Sequence, residues 1–442
     1  MKALIVGTGG VGESMAQIAK RRDPKGELFE ELVMSDADAA RAAAVSARLG
    51  DDKRFPSAQV DARDPKAVAA LARAEGVDIV CNLCPVSMNV TLMEAALEAG
   101  THYLDTGMSP SVYDPPSARR KPGDPLPKPV KLIGDDQFAL SDRFSAADKL
   151  ALISFGVEPG MADFYARYAA DHLFDEVDEM GVRDGDNLAI PGFEGVAFAF
   201  SPWTTIEECT APGLVWEADK GFFPVEAFSE PEEFTMPGDV GRVISANVEH
   251  DEVVCMGRNA DKLKGIKRAT FKYALDPAFM EAIHTLQWLN LDDPNPIRIG
   301  DVMVAPRDVV AAAAPDPRDL GTRLVGQCST GLWVKGRYGG LERQIYLYQL
   351  SDAEECVARY GTPIITAQTA FTPVIVLEML ATGKLAGYRD NPTSGTRVAE
   401  EFCADPFVAL MPDYGFPGGV MEMDSEFRRA GERSGITALA SA

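Results

Sequence analysis

The chain has 442 residues, of which 46% are hydrophobic and 25% charged, and its formal net charge is −24. This is the composition of a folded globular protein, and the length exceeds one ordinary core, so we expect two domains. The negative charge repels nucleic-acid phosphates and anionic lipid, so we expect neither nucleic acid nor a membrane as a partner. No apolar run reaches the roughly 18 residues of a spanning helix and the first residues do not resemble a signal peptide, so we expect a cytoplasmic protein.

Cysteine and histidine usage argues against a disulfide framework and a metal site. The seven cysteines are an odd number spread over a long chain, unlike a secreted disulfide scaffold. Cys81 and Cys84 form a CxxC pair without a second pair at zinc-finger spacing, so we interpret them as buried thiols. Only four histidines occur, and none is in an HExxH pattern. The sequence therefore predicts no metal.

The chain begins with the pattern of a strand, a glycine-rich turn and a helix. An apolar run over residues 1–6 leads directly into Gly7-Thr8-Gly9-Gly10-Val11-Gly12, and helical periodicity follows over residues 13–20. In such a turn Gly7 permits the tight bend, Gly9 lets the backbone approach a pyrophosphate, and Gly12 lets the helix pack closely. The amino terminus of the helix attracts negative charge. The pattern predicts a Rossmann domain that binds a dinucleotide.

An acidic residue ends the second predicted strand. Residues 32–35 lead into Asp36, and a carboxylate there accepts hydrogen bonds from the ribose 2′-hydroxyl of NAD and repels the 2′-phosphate of NADP. A polar insert at 21–30 makes the spacing from the glycines longer than usual. Asp38 is therefore an alternative for this role, and either acid also suits a helix cap. We expect NAD as the cofactor in preference to NADP.

Strands and helices continue to alternate through the first third of the chain. The expected strands cover residues 58–61, 77–83 and 102–105, and the expected helices cover 66–74 and 90–99. Repeated units of this length are typical of a parallel, doubly wound sheet. Because ligands bind such sheets at the carboxyl ends of the strands, we expect Asp61-Ala62, Leu83-Cys84-Pro85 and Asp105-Thr106 to line the crevice.

Changes in composition indicate how the chain divides. Residues 110–129 are rich in proline and charge, and we interpret them as a solvated surface loop, with an active-site lid as the alternative. Strand-like segments then dominate up to about residue 355 and indicate a mixed or antiparallel sheet. We expect a Rossmann domain at 1–155, a second α+β domain at 156–358, and helices at 359–442 that return to the first domain.

Several motifs, in a fixed order, resemble the saccharopine dehydrogenase family. Besides the glycine-rich turn they are Val60-Asp61-Ala62-Arg63-Asp64, Asn82-Leu83-Cys84-Pro85, His102-Tyr103-Leu104-Asp105-Thr106, Gly156-Val157-Glu158-Pro159-Gly160-Met161, Phe200-Ser201-Pro202 and Gln368-Thr369-Ala370-Phe371-Thr372-Pro373. The resemblance covers most of the chain. It implies a bilobal homodimer whose second domain binds substrate and dimerises. It also implies hydride transfer between NAD(P) and the carbon of a C–N bond in an amino acid or opine-like amine.

The resemblance also implies roles for particular residues. The pyrophosphate would be held by Gly9, Gly10, Val11 and Gly12, the ribose by Asp36, the adenine by Asp61 and Ala62, and the nicotinamide side by Cys84 and Pro85. Ser201, in the Phe200-Ser201-Pro202 motif, is implied in substrate binding. Two features depart from the family. No arginine follows Trp203, and Asp36 stands where several members have a basic residue or a cysteine.

The candidate proton-handling groups are acids. Oxidation of an amine requires a group that takes the amine proton, and we assign this role to Asp105 at the end of a strand, with bracing of the next loop as the alternative. Glu158 is a second catalytic candidate. Asp163, like Glu158, is suited either to binding a substrate ammonium group or to capping a helix.

The candidates for binding substrate carboxylates are two small polar residues and three cations. Ser87 and Asn89 are suited to hydrogen bonding a carboxylate, or to capping a helix. A substrate with two or three carboxylates needs cationic side chains in its pocket, and Arg258, Arg268 and Lys272 of the second domain are candidates.

Two functions from different classes are compatible with the sequence. The first is an NAD-dependent dehydrogenase for a small amino-acid or amine substrate, for which the resemblance implies the glutamate-forming saccharopine dehydrogenase type. Lysine 6-dehydrogenase and carboxynorspermidine dehydrogenase are alternatives within this class. The second is a non-catalytic sensor that binds a dinucleotide. We favour the enzyme.

Overall fold

Two β-sheets surrounded by helices organise the chain, which the computed structural model describes over residues 1–114, 116–117, 120–121, 123–315, 317–388, 393–430 and 436–439. The strands of the first part are β1 (Lys2–Val6), β2 (Glu31–Asp36), β3 (Ser57–Gln59), β4 (Ile79–Asn82), β5 (His102–Asp105), β6 (Val112–Asp114), β7 (Lys128–Lys131) and β8 (Leu150–Leu152). Its helices are α1 (Gly10–Arg22), α2 (Ala39–Leu49), α3 (Pro65–Glu75), α4 (Asn89–Ala99), α5 (Asp135–Phe138) and α6 (Ser141–Ala146), with a 3-10 turn at Val86–Met88.

The middle of the chain supplies most of the second sheet. The strands in this part of the chain are β9 (Glu176–Asp186), β10 (Gly213–Glu217), β11 (Gly221–Val225), β12 (Glu232–Thr235), β13 (Arg242–Asn247), β14 (Arg268–Tyr273), β15 (Ile297–Ile299), β16 (Val302–Val304), β17 (Gln327–Tyr338) and β18 (Leu341–Asp352). Of these, β15 and β16 pair only with each other among the described residues, as a separate hairpin. The helices in this part are α7 (Met161–Tyr168), continued by a π-helical turn at Ala169–Leu173, then α8 (Pro202–Thr210), α9 (Asp251–Arg258), α10 (Pro277–Leu289), α11 (Pro306–Ala313) and α12 (Pro317–Gly321).

The last part of the chain contributes to both sheets. Its elements are α13 (Ala353–Tyr360), α14 (Ile364–Ala381), β19 (Gly395–Arg397), a 3-10 turn at Ala399–Glu401, α15 (Asp405–Leu410), a 3-10 turn at Met411–Tyr414, β20 (Gly418–Glu422), α16 (Glu426–Ala430) and β21 (Ile436–Ala438). Residues 389–392, 431–435 and 440–442, which belong to the predicted C-terminal segment, lie outside the described residues.

The first sheet is parallel throughout. Among the described residues its strand order is β3-β2-β1-β4-β5-β8-β19. The chain winds outward from β1 in one direction through β2 and β3, and in the other through β4 and β5, which is the topology of a doubly wound sheet. Strand β19 and helix α14, which packs along α1, complete this half. The predicted doubly wound parallel sheet is confirmed.

Local signals set where these helices begin. Asp38 accepts hydrogen bonds from two backbone N–H groups in the first turn of α2, and Asp64 does the same for α3. Pro65, the first residue of α3, has no N–H to satisfy and a φ angle that suits a helix start. These caps place the loops after β2 and β3 at the carboxyl edge of the sheet.

The second sheet mixes parallel and antiparallel pairs. Strand β9 pairs in parallel with β14 and antiparallel with β17, while β17 and β18 form a long antiparallel hairpin. Strand β20 extends this hairpin on its far side. The predicted mixed or antiparallel sheet is confirmed.

Most described residues of the segment 110–129 are exposed, as expected of a surface loop, but parts of the segment pack on the second half of the molecule. It contains β6, and Tyr113 on that strand is only 5% exposed. The Tyr113 hydroxyl donates to Oε1 of Glu249 at 2.6 Å, and Arg120 forms an ion pair with Glu226. Composition alone does not reveal these partners because they are distant in sequence. Residues 115, 118, 119 and 122 lie outside the described residues.

Helix α14 is more apolar than the sequence analysis allowed. Its 18 residues meet the length and composition of a membrane span, although no run of that length was expected. In the structure 72% of this segment is buried inside the protein, where it lies against α1. Its apolar character is therefore accounted for by burial in the protein core.

Candidate active site

The glycine-rich turn has open space where a diphosphate would approach. A Cβ atom on Gly9 would meet no atom within 4 Å, whereas a Cβ on Gly12 would overlap the carbonyl oxygen of Gly7. Gly7 itself has a φ angle of +100°, which an L side chain rarely adopts. Gly9 precedes α1 without a side-chain cap, so the N–H groups of the first helical turn remain available to an anion. The turn therefore fits the diphosphate of a dinucleotide.

Asp36 stands beside this turn as an ionised carboxylate. Its Oδ2 atom accepts hydrogen bonds from the N–H and the hydroxyl of Thr8, both at 3.0 Å, and its Oδ1 accepts from the N–H of Asp38 at 3.0 Å. Burial raises the pKa of Asp36, but these backbone hydrogen bonds outweigh it and hold the pKa below its usual value. Because the Asp38 side chain caps α2, Asp36 is the acid that faces the turn.

The residues predicted for the adenine and nicotinamide sides lie at the same sheet edge. Asp61 forms an exposed ion pair with Arg63, with Nη2 and Oδ2 2.7 Å apart, and hydrogen bonds from Arg63 lower its pKa to about 2. Ala62 is half-buried next to it. The Cys84 thiol donates to the carbonyl of Val6 at 3.4 Å, and burial raises its pKa to about 12. Pro85 is exposed and starts the 3-10 turn after β4.

A cavity of about 290 Å³ lies between the two sheets, in contact with the start of α1. The apolar part of its lining includes Val11, Val86, Met108, Ile133, Val157, Pro159, Phe200, Phe271, Tyr273 and Ile365. Thr366 joins this cavity to the glycine-rich turn, because its Cγ2 would lie 2.7 Å from a Cβ on Gly10. A glycine at position 10 thus lets α14 close one side of the cavity, which we call the pocket.

The pocket is strongly acidic. Its lining carboxyl residues are Glu158, Asp184, Glu207, Glu208, Glu249 and Asp251. Among the described residues, no lysine or arginine lines it, and the one basic side chain is His250. Arg307 pairs with Glu207 from outside, with Nη1 and Oε1 3.4 Å apart. The site as a whole therefore carries a large excess of groups that become negative when ionised.

Burial keeps several of these carboxyl groups close to the point of protonation. It raises the pKa of Asp184, Glu208 and Glu249 to about 7 each. The pKa of Glu158 is also raised, first by burial and then by repulsion from Asp184. A buried pair of carboxyl groups cannot lose both protons at neutral pH without large cost. Glu158 and Asp184 therefore hold a proton that the site can give or take.

His250 is the fixed cation of the pocket. Its ring stacks on Phe271 with centroids 3.9 Å apart, and its Nδ1 lies 2.5 Å from Oε2 of the fully buried Glu252. Burial lowers the pKa of His250, but the charge of Glu252 and its hydrogen bond outweigh burial and raise the pKa to about 10. The imidazole is therefore protonated at neutral pH.

Two family models together match nearly the whole chain. The saccharopine dehydrogenase NADP binding domain matches residues 3–152, and the saccharopine dehydrogenase C-terminal domain matches residues 156–415. The chain belongs to the saccharopine dehydrogenase family. The resemblance drawn from the sequence motifs is thus confirmed.

The chain is similar in sequence to two named enzymes and in fold to two solved structures. It is 27% identical over 418 residues to carboxyaminopropylagmatine dehydrogenase of Synechocystis sp., covering 94% of this chain and 96% of that protein. It is 26% identical over 434 residues to carboxynorspermidine synthase of Vibrio cholerae, covering 96% and 98%. Apo saccharopine dehydrogenase (L-Glu forming) of Saccharomyces cerevisiae superposes with a TM-score of 0.66 at 12% identity, covering 96% of this chain and 100% of that one. Homospermidine synthase of Legionella pneumophila, in complex with NAD, superposes with a TM-score of 0.62 at 14% identity, covering 96% of this chain and 91% of that one.

These findings settle the class of activity. This saccharopine dehydrogenase family member is an NAD(P)-dependent oxidoreductase that acts on CH–NH groups of a small amine substrate. The prediction of an enzyme, rather than a non-catalytic sensor, is confirmed.

The structure places Asp105 beneath the pocket instead of on its surface. This carboxyl is 1% exposed and accepts hydrogen bonds from the Tyr103 hydroxyl at 2.9 Å, the Gln137 side chain at 2.7 Å and the Ser154 N–H at 2.7 Å. Burial raises its pKa to about 7. Its surroundings fit the alternative of a loop brace, because donors from β5, α5 and the segment after β8 hold both of its oxygens. Glu158, the other catalytic candidate, does line the pocket.

Four of the predicted substrate-binding residues fall outside the pocket lining. Asn89 is buried and donates to the Gly107 carbonyl at 2.9 Å, while Ser87 is exposed on the neighbouring 3-10 turn. Ser201 is exposed and its hydroxyl caps α8. Asp163 is 1% exposed and accepts from the Gly160 N–H at 2.7 Å. Asp163 thus caps α7, as its alternative proposed, whereas neither Ser87 nor Asn89 caps α4 by a side-chain hydrogen bond.

The predicted cations also point away from the pocket. On β14, Phe271 and Tyr273 line the pocket, so the alternate residues Arg268 and Lys272 face the other side of the sheet. There Arg268 pairs with Glu230 at 2.6 Å and Lys272 with Glu232 at 2.8 Å. Arg258 forms an ion pair with Asp135. None of these cations is placed to receive a substrate carboxylate.

Most of the charged residues that line the pocket were not among the site residues predicted from the sequence. The missed residues are Asp184, Glu207, Glu208, Glu249, His250 and Asp251. One signal was present in the sequence, the run Glu249-His250-Asp251-Glu252 that spans the start of α9. Acids at a helix start are usually caps, and only the fold shows that this start faces a cavity.

Proposed function

We propose that this enzyme makes or oxidises the C–N bond of a carboxylated polyamine, or of a carboxyaminopropyl derivative of agmatine, with NAD as its preferred cofactor. The charge of the pocket carries the proposal: six carboxyl residues and one histidine line it, without lysine or arginine among the described residues. A substrate with several cationic nitrogens and a single carboxylate complements this charge. A saccharopine-type substrate, with several carboxylates, would meet repulsion instead. The names of the two curated relatives agree with this choice.

The cationic nitrogens have suitable partners in Glu208 and Glu249. Glu208 makes no ion pair with a lysine or arginine among the described residues, unlike Glu207 beside it. Glu249 accepts a hydrogen bond from Tyr113, which orients one of its oxygens. A bound ammonium or guanidinium group favours the ionised form of both carboxyls. We therefore assign cation binding to these two residues.

His250 is suited to the substrate carboxylate. It is the only cation among the described residues of the pocket lining, and Glu252 holds it in the charged form. Its bond to Glu252 uses Nδ1, which leaves Nε2 as the donor on the opposite edge of the ring. One cation for one carboxylate matches the proposed substrate.

Glu158 and Asp184 are assigned to the proton of the reacting nitrogen. A bound nicotinamide supplies the hydride acceptor or donor. In the oxidative direction the amine must lose a proton before the carbon can lose hydride. Burial raises the pKa of both Glu158 and Asp184, and this pair of carboxyl groups is poised to accept the proton. In the reductive direction the same pair returns the proton to the nitrogen. The reductive reaction is balanced, because the imine, NADH and one proton give the amine and NAD⁺.

The preference for NAD rests on Asp36. Its ionised carboxylate lies beside the glycine-rich turn, where it suits a 2′-hydroxyl and repels a 2′-phosphate. The matching family model is named for NADP binding, whereas the similar Legionella homospermidine synthase structure contains NAD.

We also propose that the enzyme is a cytoplasmic homodimer, as the sequence analysis expects. Exposed apolar side chains on the β15–β16 hairpin and at the end of α10 support self-association, since Val302 is 57% and Trp288 62% exposed. Sedimentation analysis at micromolar concentration tests the dimer, and a monomeric mass would contradict it.

Steady-state formation of NADH with a panel of amines tests the proposed substrate class. We expect kcat/KM for a carboxylated triamine or carboxyaminopropylagmatine to exceed that for saccharopine and for lysine by about 100-fold or more. Higher kcat/KM with saccharopine would overturn the proposal.

A further inference from the structure

Three potential metal ligands meet outside the pocket, where separate parts of the chain come together. Asp163 is on α7, Cys255 is on α9 and Glu400 is in the 3-10 turn Ala399–Glu401. One ligand atom from each residue lies within 4.8 Å of the other two. All three side chains are buried, with exposures of 1%, 0% and 0%. We call this group the Asp163–Cys255–Glu400 cluster.

The cluster contains carboxylate oxygens without partners. Oδ1 of Asp163 and both oxygens of Glu400 have no hydrogen-bond partner among the described residues, although the other oxygen of Asp163 accepts from the Gly160 N–H. Buried acceptors in native proteins are almost always satisfied, and exceptions point to water or an ion. A proton shared between Asp163 and Glu400 would satisfy one oxygen of each. The Glu400 carboxyl would then have only its own backbone N–H as a further partner, and the Cys255 thiol would have no hydrogen-bond partner among the described residues.

A further buried acid lies close to the cluster. Glu252 is fully buried nearby and raises the pKa of both Asp163 and Glu400, in addition to the larger effect of burial. The nearby cations Lys262 and Arg397 pair with Glu401, the neighbour of Glu400. A cation inside the cluster would neutralise carboxylates that the protein otherwise buries at high cost.

We propose that the Asp163–Cys255–Glu400 cluster binds one divalent transition-metal ion of the zinc class. A thiolate together with two carboxylates selects a borderline-soft ion such as Zn²⁺ over Mg²⁺ or Ca²⁺, which prefer oxygen alone. The ion would connect α7, α9 and the C-terminal segment, on the Glu252 side of the His250–Glu252 pair. It would not contact the substrate. These three ligands include no histidine and are far apart in sequence, so the sequence patterns that predicted no metal do not detect them.

Elemental analysis of untagged enzyme, purified without chelators, tests the proposal. We expect about one equivalent of zinc or a similar metal per chain, and a loss of about tenfold or more in Cys255→Ser and in Glu400→Gln. Cys356→Ser removes another buried thiol and should keep the metal. Exchange of Co²⁺ into the wild-type enzyme needs no variant, and it should produce a near-ultraviolet thiolate-to-cobalt absorption band.

Two outcomes would contradict the metal proposal. Wild-type enzyme that contains no stoichiometric transition metal, and that takes up neither Zn²⁺ nor Co²⁺ on dialysis, would overturn the metal proposal. The cluster would then hold shared protons. Retention of metal and of the cobalt band in a folded Cys255→Ser variant would also overturn it, because the ion would then be bound elsewhere.

Discussion

Replacement of Glu208 by glutamine removes one negative charge from the pocket and keeps the shape of the side chain. Two opposite charges about 4 Å apart attract by about 4 kcal/mol at an effective dielectric constant of about 20. Burial raises the pKa of Glu208 to about 7, so about half of the free enzyme at neutral pH must lose a proton before it binds a cation. Glutamine also still accepts one hydrogen bond. We therefore expect a net loss of about 2 kcal/mol, which is a rise of about 30-fold in KM for the polyamine substrate.

Steady-state kinetics across pH 6 to 8 is the assay for this variant. Because the lost contact binds substrate and transition state alike, kcat should change little while KM rises. In the wild type, KM should fall as pH rises through about 7 and Glu208 ionises, and this dependence should be weaker in Glu208→Gln. Glu281→Gln, an exposed acid on α10, is the matched control and should leave KM unchanged. An unchanged or lower KM in Glu208→Gln would refute the assignment of cation binding.

Three further predictions follow from the described contacts. Asp36→Ala should weaken NAD binding and narrow the preference for NAD over NADP by about tenfold, measured by calorimetry; an unchanged preference would contradict the role of Asp36. Gly9→Ala should keep the melting temperature but lose cofactor affinity, because the added methyl group points into the open space that the diphosphate would occupy. Gly12→Ala should lose stability, because its methyl group would overlap the Gly7 carbonyl. Equal effects of the two variants would be inconsistent with this geometry. Ligand-free enzyme should lose thermal stability from about pH 5 to about pH 8. A raised pKa means that the folded state binds more protons than the unfolded chain, and this stabilisation is lost as the pH rises through about 7. A melting temperature that climbs over this range would argue against the prediction. The groups responsible include Asp105, Asp184, Glu208 and Glu249.

The cofactor half of the enzyme could be predicted from sequence because its signals are local. The six residues from Gly7 to Gly12 contain a whole turn, and the alternation of strands and helices after it defines a parallel sheet. The motifs of the family then supplied the activity class. Asp36 followed from its place at the end of β2.

The substrate half could not be predicted because it depends on which side of a sheet a residue faces. Arg268 and Phe271 lie three residues apart on β14, yet only Phe271 lines the pocket. The acidic lining comes from segments as distant as Glu158, Asp184, Glu208 and Glu249. A sequence pattern cannot bring these positions together without the topology of the second sheet.

Asp105 shows the same limit within the better-predicted half. Its position at the end of β5 was correct, but the end of a strand fixes only the backbone. Tyr103, Gln137 and Ser154 supply donors that turn the carboxyl inward. The acids with access to the pocket, Glu158 among them, come from the neighbouring segments instead.

A crystal structure of the enzyme with NAD and a carboxylated polyamine would test the charge complementarity of the pocket most directly. The account predicts cationic nitrogens within hydrogen-bond distance of Glu208 and Glu249, and the substrate carboxylate at Nε2 of His250. A substrate bound with its carboxylate toward Glu208 and Glu249, or with its cations in contact with none of the pocket acids, would contradict it.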